Sequence, residues 1–283
     1  IKLDKEAIKR SGMMIPSALN GEIPEYMSIS LKGKRMLYKS ELMMLEMLAN
    51  TNWERPIYMA ITVGQENHLN LGDNFMQEGL AYRITPFNTT KLNARIDSEK
   101  MYDNLMHKFK FGGIDKDDIY LDETVMRMAQ THRRMFVQVA SQLIKEGKNE
   151  KALKALDYCQ QVIPSKNVAH DYVMSSSKEM ADDYIALGEY AKAEAILDEL
   201  GNKAVEYITW YMSLDDERLA LSYDNCIRNF YILDEINKSL ERITALKTGQ
   251  PEGEMTVSSE MEEHYAKKFN ELYDMFNVRV GRK

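Results

Sequence analysis

The feature that most constrains the fold of this chain is a helical pattern that occurs twice. In the first copy, residues 133–164, an apolar face with a 3.6-residue period leads to Gly147, and a second apolar face follows and ends at Pro164. The second copy lies 41 positions later, with Gly188 in the place of Gly147. Small residues at matched positions let two antiparallel helices approach closely, which is the physical basis of the tetratricopeptide pattern. The matched positions are Val139, Ala140, Leu143, Ala152 and Leu156 in the first copy and Met180, Ala181, Tyr184, Ala193 and Leu197 in the second.

The sequence after the repeats predicts helices that cap them. A solenoid generally needs about three repeats to be stable, and this sequence shows two. A long helix is predicted from Asp216 to Lys247, and a final helix follows a turn-rich surface loop at 247–259. The final helix either caps the repeats or packs on the N-terminal part of the chain. We therefore predict a helical domain over 96–283, with tetratricopeptide-like repeats over about 124–212.

Residues 1–95 predict a small α/β domain, so the expected fold class is α+β. Period-two alternation indicates strands in "MSISLK" at 27–32, "PIYMAITV" at 56–63 and "FMQEGLAYRITP" at 75–86. A helix is predicted from Ser40 as its N-cap, with Leu42, Leu45 and Leu48 as its apolar stripe. Three short strands and one helix need something packed on their open face to be stable.

Composition excludes some classes of function. A net charge of −7 and a pI near 5.4, without a cluster of basic residues, argue against nucleic-acid binding. The chain has no secretory signal and no run of the ~18 apolar residues that a membrane helix needs. It begins at Ile1 rather than Met, so we expect it to be a segment of a longer protein. Cys159 and Cys226 are interpreted as buried small hydrophobes, and a disulfide between them stays open.

The catalytic and metal-binding motifs that we searched for are not in the sequence, so no cofactor and no metal site is expected. The five His residues have no ligand spacing and are interpreted as surface or loop residues. Asp182 and Asp183 are adjacent, so their side chains should point apart and be solvated. One candidate binding or structural cluster remains, and it suits either a sugar or peptide ligand or an ion pair that closes a small domain. Its members are Trp53, Arg55, Tyr58, Glu78, Tyr82 and Arg83.

Several segments together carry a family resemblance: "NWERPIYMAITVG", "FMQEGLAYRITP", "MYDNL", "KFKFGGI" and "YLDE". They resemble the C-terminal soluble region of bacterial multi-pass membrane proteins of the protein O-mannosyltransferase-like, GT-C glycosyltransferase type, which have animal relatives. The resemblance covers the chain from about residue 20 to the repeats. Such regions often carry tetratricopeptide-like helices, so the resemblance implies the same architecture.

The resemblance also implies a function. The catalytic carboxylate of such proteins is expected near the first membrane spans, so no catalytic residue is assigned here and the chain itself is not expected to be an enzyme. We expect a non-catalytic domain on the extracytoplasmic (periplasmic) face. Its partners would be the membrane part of the same natural chain and a protein acceptor or partner on the repeats. Two alternatives stay open: a soluble carbohydrate-binding or hydrolytic protein that uses the Trp53/Arg55/Glu78/Tyr82 cluster, and a free-standing helical-repeat adaptor.

Overall fold

A small antiparallel sheet with short helices comes first in the chain, and long helices follow, which confirms the predicted α+β class. The structure is a computed structural model that describes residues 1–250 and 258–281. The chain divides into two units, Ile1–Lys110 and Phe111–Lys283, which we call unit 1 and unit 2. Most of the predicted loop at 247–259 lies outside the described residues.

Unit 1 is built around a three-stranded sheet with the order β1-β3-β2, in which both pairs are antiparallel. Tyr82 in the central strand faces Met59 on one side and Gln77 on the other. A π-helical turn, Asn104–Lys108, extends the last helix of the unit. The elements are α1 (Lys5–Arg10), α2 (Lys39–Asn50), β1 (Tyr58–Ala60), β2 (Phe75–Gln77), β3 (Ala81–Ile84) and α3 (Ser98–Asp103).

The strands of unit 1 differ from those predicted. The segment 75–86 is a β-hairpin rather than one strand, and Gly79 makes its turn with a φ of 133° that other residues rarely adopt. The segment 27–32 is not a strand, because only its first residue pairs: the Met27 N–H donates to the Ile1 carbonyl over 2.8 Å. Helix α2 begins at Lys39 with Tyr38 as its N-cap, so Ser40 lies inside it.

The apolar core of unit 1 joins the sheet to α2 and to the segments between them. Leu48 of α2 is almost fully buried in it, whereas Leu42 of the predicted stripe is exposed. Most of its buried residues are aliphatic, and three aromatic residues each remove a large apolar area from water. They are Trp53, Phe75 and Phe87.

Unit 2 contains two successive helical hairpins, α4–α5 and α6–α7, at the positions of the predicted repeats. Their turns are alike: the Lys148 N–H donates to the Leu143 carbonyl over 2.8 Å, and the Glu189 N–H to the Tyr184 carbonyl over 2.9 Å. Gly147 and Gly188 have φ values of 73° and 79° in these turns. The matched apolar residues of both hairpins are fully buried. The helices are α4 (Glu123–Lys145), α5 (Asn149–Val162), α6 (Ser177–Ala186) and α7 (Tyr190–Ser213).

Further helices of unit 2 pack on the second hairpin. The predicted helix 216–247 is broken at Ser222 into α8 (Asp216–Leu221) and α9 (Tyr223–Thr248). The last helix, α10 (Glu260–Arg279), packs on α7 and α9. The Tyr265 hydroxyl of α10 donates to the Asp198 carbonyl over 2.8 Å, and a Cβ on Gly201 would lie 2.5 Å from the Tyr265 ring. Gly201 therefore gives the Tyr265 ring the room it needs against α7.

Candidate functional site

The carboxylate of Glu78, at the turn between β2 and β3, is the centre of a buried polar cluster in unit 1. Glu78 is 4% exposed. Its Oε2 accepts a hydrogen bond from the Tyr58 hydroxyl over 2.6 Å and lies 2.9 Å from the Lys100 ammonium. Its backbone carbonyl accepts from the Asn104 amide over 2.7 Å. Glu78 thus joins the sheet to the α3 segment.

Arg83 in β3 supplies the second charge of the cluster. Its guanidinium is fully buried, and its Nη1 lies 3.5 Å from the Oε1 of Glu78. Neither of these two atoms makes a hydrogen bond within the described residues, so their attraction is coulombic. The other end of the fork, Nη2, donates to the Ser11 carbonyl over 3.1 Å. Arg83 therefore ties the sheet to the end of α1.

Burial governs the protonation of two groups in this cluster. Burial, followed by the hydrogen bond to Glu78, raises the pKa of the Tyr58 hydroxyl to about 12. Burial also raises the pKa of the Asp97 carboxyl, and the Glu78 charge adds to the effect. Tyr58 is thus held as a neutral donor to the Glu78 carboxylate, which favours a closed, charge-balanced arrangement.

The structure brings together three of the six predicted site residues and separates the others. Glu78 and Arg83 form the buried cluster just described, and the hydroxyl of Tyr58, which is 42% exposed, bonds to it. Trp53 lies in the apolar core with 3% of its surface exposed. The Tyr82 ring stacks on Phe75 with 5.3 Å between the ring centroids. Arg55 is exposed and has no ion pair among the described residues.

Unit 2 presents a more open surface on α7, which we call the α7 face. It consists of residues at 3- and 4-residue spacing along one side of α7, next to its buried stripe. Its two aromatic residues are well exposed, Tyr207 at 44% and Trp210 at 53%. A cleft of about 810 Å³ runs along it, and a second of about 310 Å³ shares Lys203 and Tyr207. The α7 face comprises Glu199, Asn202, Lys203, Glu206, Tyr207 and Trp210.

The groups on the α7 face are partly held by the segment before α6. The Glu199 carboxylate accepts from the His170 backbone N–H over 2.6 Å, and the Lys203 ammonium lies 3.5 Å from the Asp171 carboxylate and 6.0 Å from the Tyr207 ring. These contacts fix polar groups beside exposed aromatic rings. Such a surface can pack on an apolar or planar group of a ligand and donate or accept hydrogen bonds beside it.

Sequence analysis did not find the α7 face. The spacing of Tyr207, Trp210 and Tyr211 at i, i+3 and i+4 is a helical signal, but the repeat pattern matches buried positions and ends at Leu197. Residues on the exposed side of α7 are not part of the repeat pattern, so that pattern does not predict them. A search for aromatic residues off the buried stripe would have identified it.

Two polar groups in unit 2 are less exposed than a solvated surface residue would be. His170 lies in the loop before α6, as one of the two predicted settings allowed, but it is 2% exposed, and burial, followed by the charges of Arg133 and Lys203, lowers its pKa to about 3. Asp182 and Asp183 point to different partners, as predicted, but Asp183 is not on a solvated face. It accepts from the Ser141 hydroxyl over 2.8 Å, and burial raises its pKa to about 7.

Arg133 on α4 places a buried charge in unit 2. It is fully buried and donates to three backbone carbonyls after α5, those of Ile163 at 2.9 Å, Val168 at 2.6 Å and Ala169 at 3.1 Å. Burial lowers the pKa of its guanidinium. Arg133 therefore fixes the connection between the two hairpins, and through it the segment that holds the α7 face.

Cys159 and Cys226 are both buried and free, and burial raises the pKa of the Cys159 thiol to about 12. Within residues 1–250 and 258–281, no group of His, Cys, Asp and Glu side chains is placed to hold a metal ion. In the same residues, no helix has the length and apolar character needed to cross a membrane.

A model of a known protein family matches the N-terminal part of the chain, within unit 1. No curated protein and no solved structure matches the chain significantly. The matched family is described as TMEM260-associated domain 2. It covers residues 1–101, which include the sheet, α2 and the Glu78 cluster. The N-terminal third of this chain is therefore similar to a domain associated with TMEM260.

Proposed function

We propose that this chain is a non-catalytic domain of a TMEM260-like, glycosyltransferase-like membrane protein, and that its helical unit binds a protein acceptor or partner on the extracytoplasmic (periplasmic) face. The match of residues 1–101 supports its place in a TMEM260-like protein. The motifs shared with O-mannosyltransferase-like proteins support the glycosyltransferase-like character. The membrane part of the same natural chain is then its first partner.

The geometry of the Glu78 cluster supports a non-catalytic role for unit 1. A general acid or base must come within hydrogen-bond reach of its substrate. The Glu78 carboxylate is instead enclosed by Tyr58, Arg83 and Lys100 of the same unit. This arrangement suits a group that holds the small sheet to its neighbouring segments.

The two hairpins support a tetratricopeptide-like assignment for unit 2. They repeat after 41 residues with matching turns and matching buried positions, and α8 to α10 supply the additional packing that two repeats need. Helical repeats of this kind bind peptides and proteins on their extended surfaces. Unit 2 is thus the part of the chain that we assign to partner binding.

The observation that carries the proposal is the exposure of Trp210 and Tyr207 beside a cleft of about 810 Å³. Large exposed aromatic residues are costly in water, and Trp and Tyr contribute most to binding energy at protein interfaces. Polar groups at Glu199, Lys203 and Glu206 surround them and can fix the direction of a bound segment. We assign the α7 face to the acceptor or partner.

Site-directed photocrosslinking tests this assignment in cells that make the natural protein. With a photoreactive phenylalanine analogue in place of Tyr207, we expect one defined adduct. The additional substitution Trp210→Ala should lower its yield at least about tenfold, because truncation of an interface Trp costs about 2 kcal/mol or more. The measurement is the adduct yield by mass-resolved immunoblot.

The matched control places the same photoreactive group at Tyr120, which is 90% exposed and lies in the same unit outside the α7 face. Equal adducts from both positions, or an adduct at position 207 that ignores Trp210→Ala, would contradict the assignment. The Trp210→Ala protein should keep its stability within about 0.5 kcal/mol, since an exposed side chain contributes little to folding.

A further inference from the structure

Helix α2 of unit 1 turns large apolar side chains toward water. Leu42, Met43 and Met47 are 53%, 57% and 53% exposed, and Met36 and Tyr38, just before the helix, are 67% and 66% exposed. Apolar residues that are scattered singly on a surface are ordinary, but these five lie within twelve consecutive positions. We call this surface the α2 face.

The α2 face is separate from the packing of α2 in its own unit. Leu48 on the opposite side is 1% exposed, and Met44 and Leu45 pack against the core of unit 1. The helix therefore meets its packing requirement without Leu42, Met43 and Met47. Met43 and Met47 lie one turn apart on the same side, and the exposed Glu46 beside them accepts a hydrogen bond from the Asn50 amide.

Basic residues border the α2 face in a chain that is otherwise acidic. Between Glu25 and Glu41 the sequence has four basic residues and no acidic residue, although the whole chain carries −7. Lys34 pairs with Glu41. Lys32, Arg35 and Lys39 are exposed, and among the described residues they make no ion pair. Three positive charges are thus available to a ligand beside five exposed apolar side chains.

From this combination we infer that the α2 face binds the surface of an anionic lipid bilayer. Leu and Met side chains at an amphipathic helix enter the boundary between headgroups and acyl chains, and Tyr is favoured at headgroup depth. Lys and Arg beside them attract the phosphates of acidic lipids. We favour a bilayer over a protein partner because Lys32, Arg35 and Lys39 are exposed without an ion pair among the described residues, and a layer of lipid phosphates can contact all three at once.

The contact is peripheral and concerns unit 1 alone. It depends neither on the partner that binds the α7 face nor on the sugar chemistry of the natural protein. The occupant is defined by its chemistry: an apolar interior covered by a dense layer of negative charge. Because the attraction is partly electrostatic, the contact weakens as salt rises.

Vesicle flotation with the full chain tests the inference. We expect the chain to float with vesicles of phosphatidylcholine and phosphatidylserine, much less with phosphatidylcholine alone, and less at high salt. The combined substitution Lys32→Gln, Arg35→Gln and Lys39→Gln should lower the partition coefficient about 100-fold, by the usual contribution of a basic residue near an anionic surface. Met43→Ser with Met47→Ser should lower it about tenfold or more, because both side chains leave the bilayer boundary.

Matched variants elsewhere on the chain control for charge and hydrophobicity. Lys91→Gln, Lys154→Gln and Arg242→Gln remove the same charges from exposed positions outside the α2 face, and Leu221→Ser with Val278→Ser removes two exposed apolar side chains. These variants should float like the unchanged chain. Circular dichroism checks that every variant stays folded.

Three results would overturn the inference: no flotation with either vesicle, flotation that does not depend on phosphatidylserine, or an equal loss in the control variants. If the chain floats with neither vesicle, the α2 face is better explained as the binding surface of a protein partner. None of the three affects the crosslinking result at Tyr207, so the failure of this inference can be distinguished from failure of the proposed function.

Discussion

The Glu78→Gln variant is expected to lose about 3 kcal/mol of unfolding free energy in unit 1, the usual cost of removing one partner from a buried ion pair. The substitution leaves the Arg83 guanidinium fully buried without its counter-charge. It also removes the charge that Lys100 contacts at 2.9 Å. The measurement is urea unfolding followed by Trp53 fluorescence in a Trp210→Phe background, since the chain has two Trp residues, one in each unit.

The control for this variant is Glu54→Gln. The Glu54 side chain is 67% exposed and lies 3.9 Å from an equally exposed Arg10, so its removal should change stability by no more than about 0.5 kcal/mol. If Glu78→Gln leaves the stability of unit 1 unchanged and instead abolishes binding of a glycan, the soluble carbohydrate-binding alternative gains and the structural role of Glu78 is wrong.

The Arg133→Met variant is expected to destabilise unit 2 by about 3 kcal/mol. The apolar side chain fills similar space but leaves the carbonyls of Ile163 and Val168 buried without their donor, at about 1–3 kcal/mol for each unpaired group. Urea unfolding followed by far-UV circular dichroism reports this loss, because unit 2 contains the long helices.

Hydrogen exchange gives the same prediction a local test. Amides at 163–170 should exchange faster in Arg133→Met, because the guanidinium that fixes this connection is gone. Arg134→Met on the same helix is the control, since the Arg134 side chain is only partly buried and its loss should cost less than about 1 kcal/mol. Equal stability of the two variants would show that the Arg133 hydrogen bonds contribute little to folding.

The helices of unit 2 could be predicted because their sequence pattern is both periodic and repeated. Gly147 and Gly188 mark turns that need positive φ, and the apolar faces on either side can be buried only against each other. The break at Ser222 gives no comparable signal, since the apolar stripe runs through it from Leu219 to Cys226.

The strands of unit 1 were harder to predict because a short alternating segment does not specify its partner. The alternation at 27–32 is real, with Met27 buried and Ser28 exposed, yet the chain pairs there only with its first residues. In the segment 75–86, Gly79 is the one residue that indicates a turn. The alternation of apolar and polar residues on both sides of Gly79 resembles a single strand.

Part of the candidate site could be predicted from the sequence, and part could not. The proximity of Glu78 and Arg83 could be inferred because they lie close in sequence beside one strand end, whereas Trp53 and Tyr82 lie in packing environments that their type does not reveal. The three carbonyls that Arg133 binds come from 30 to 36 residues away, and backbone acceptors leave no trace in a sequence. The α7 face could not be predicted without knowing which side of α7 is buried.

The account as a whole rests on the claim that this chain is a domain of a larger membrane protein. An antibody to the chain, used on fractionated cells of the native source, tests that claim directly. We expect a band well above the 32.8 kDa of this chain, confined to membranes. It should remain there after an alkaline wash, which releases proteins held only by a peripheral lipid contact. A soluble band of about the chain's own mass would contradict the account.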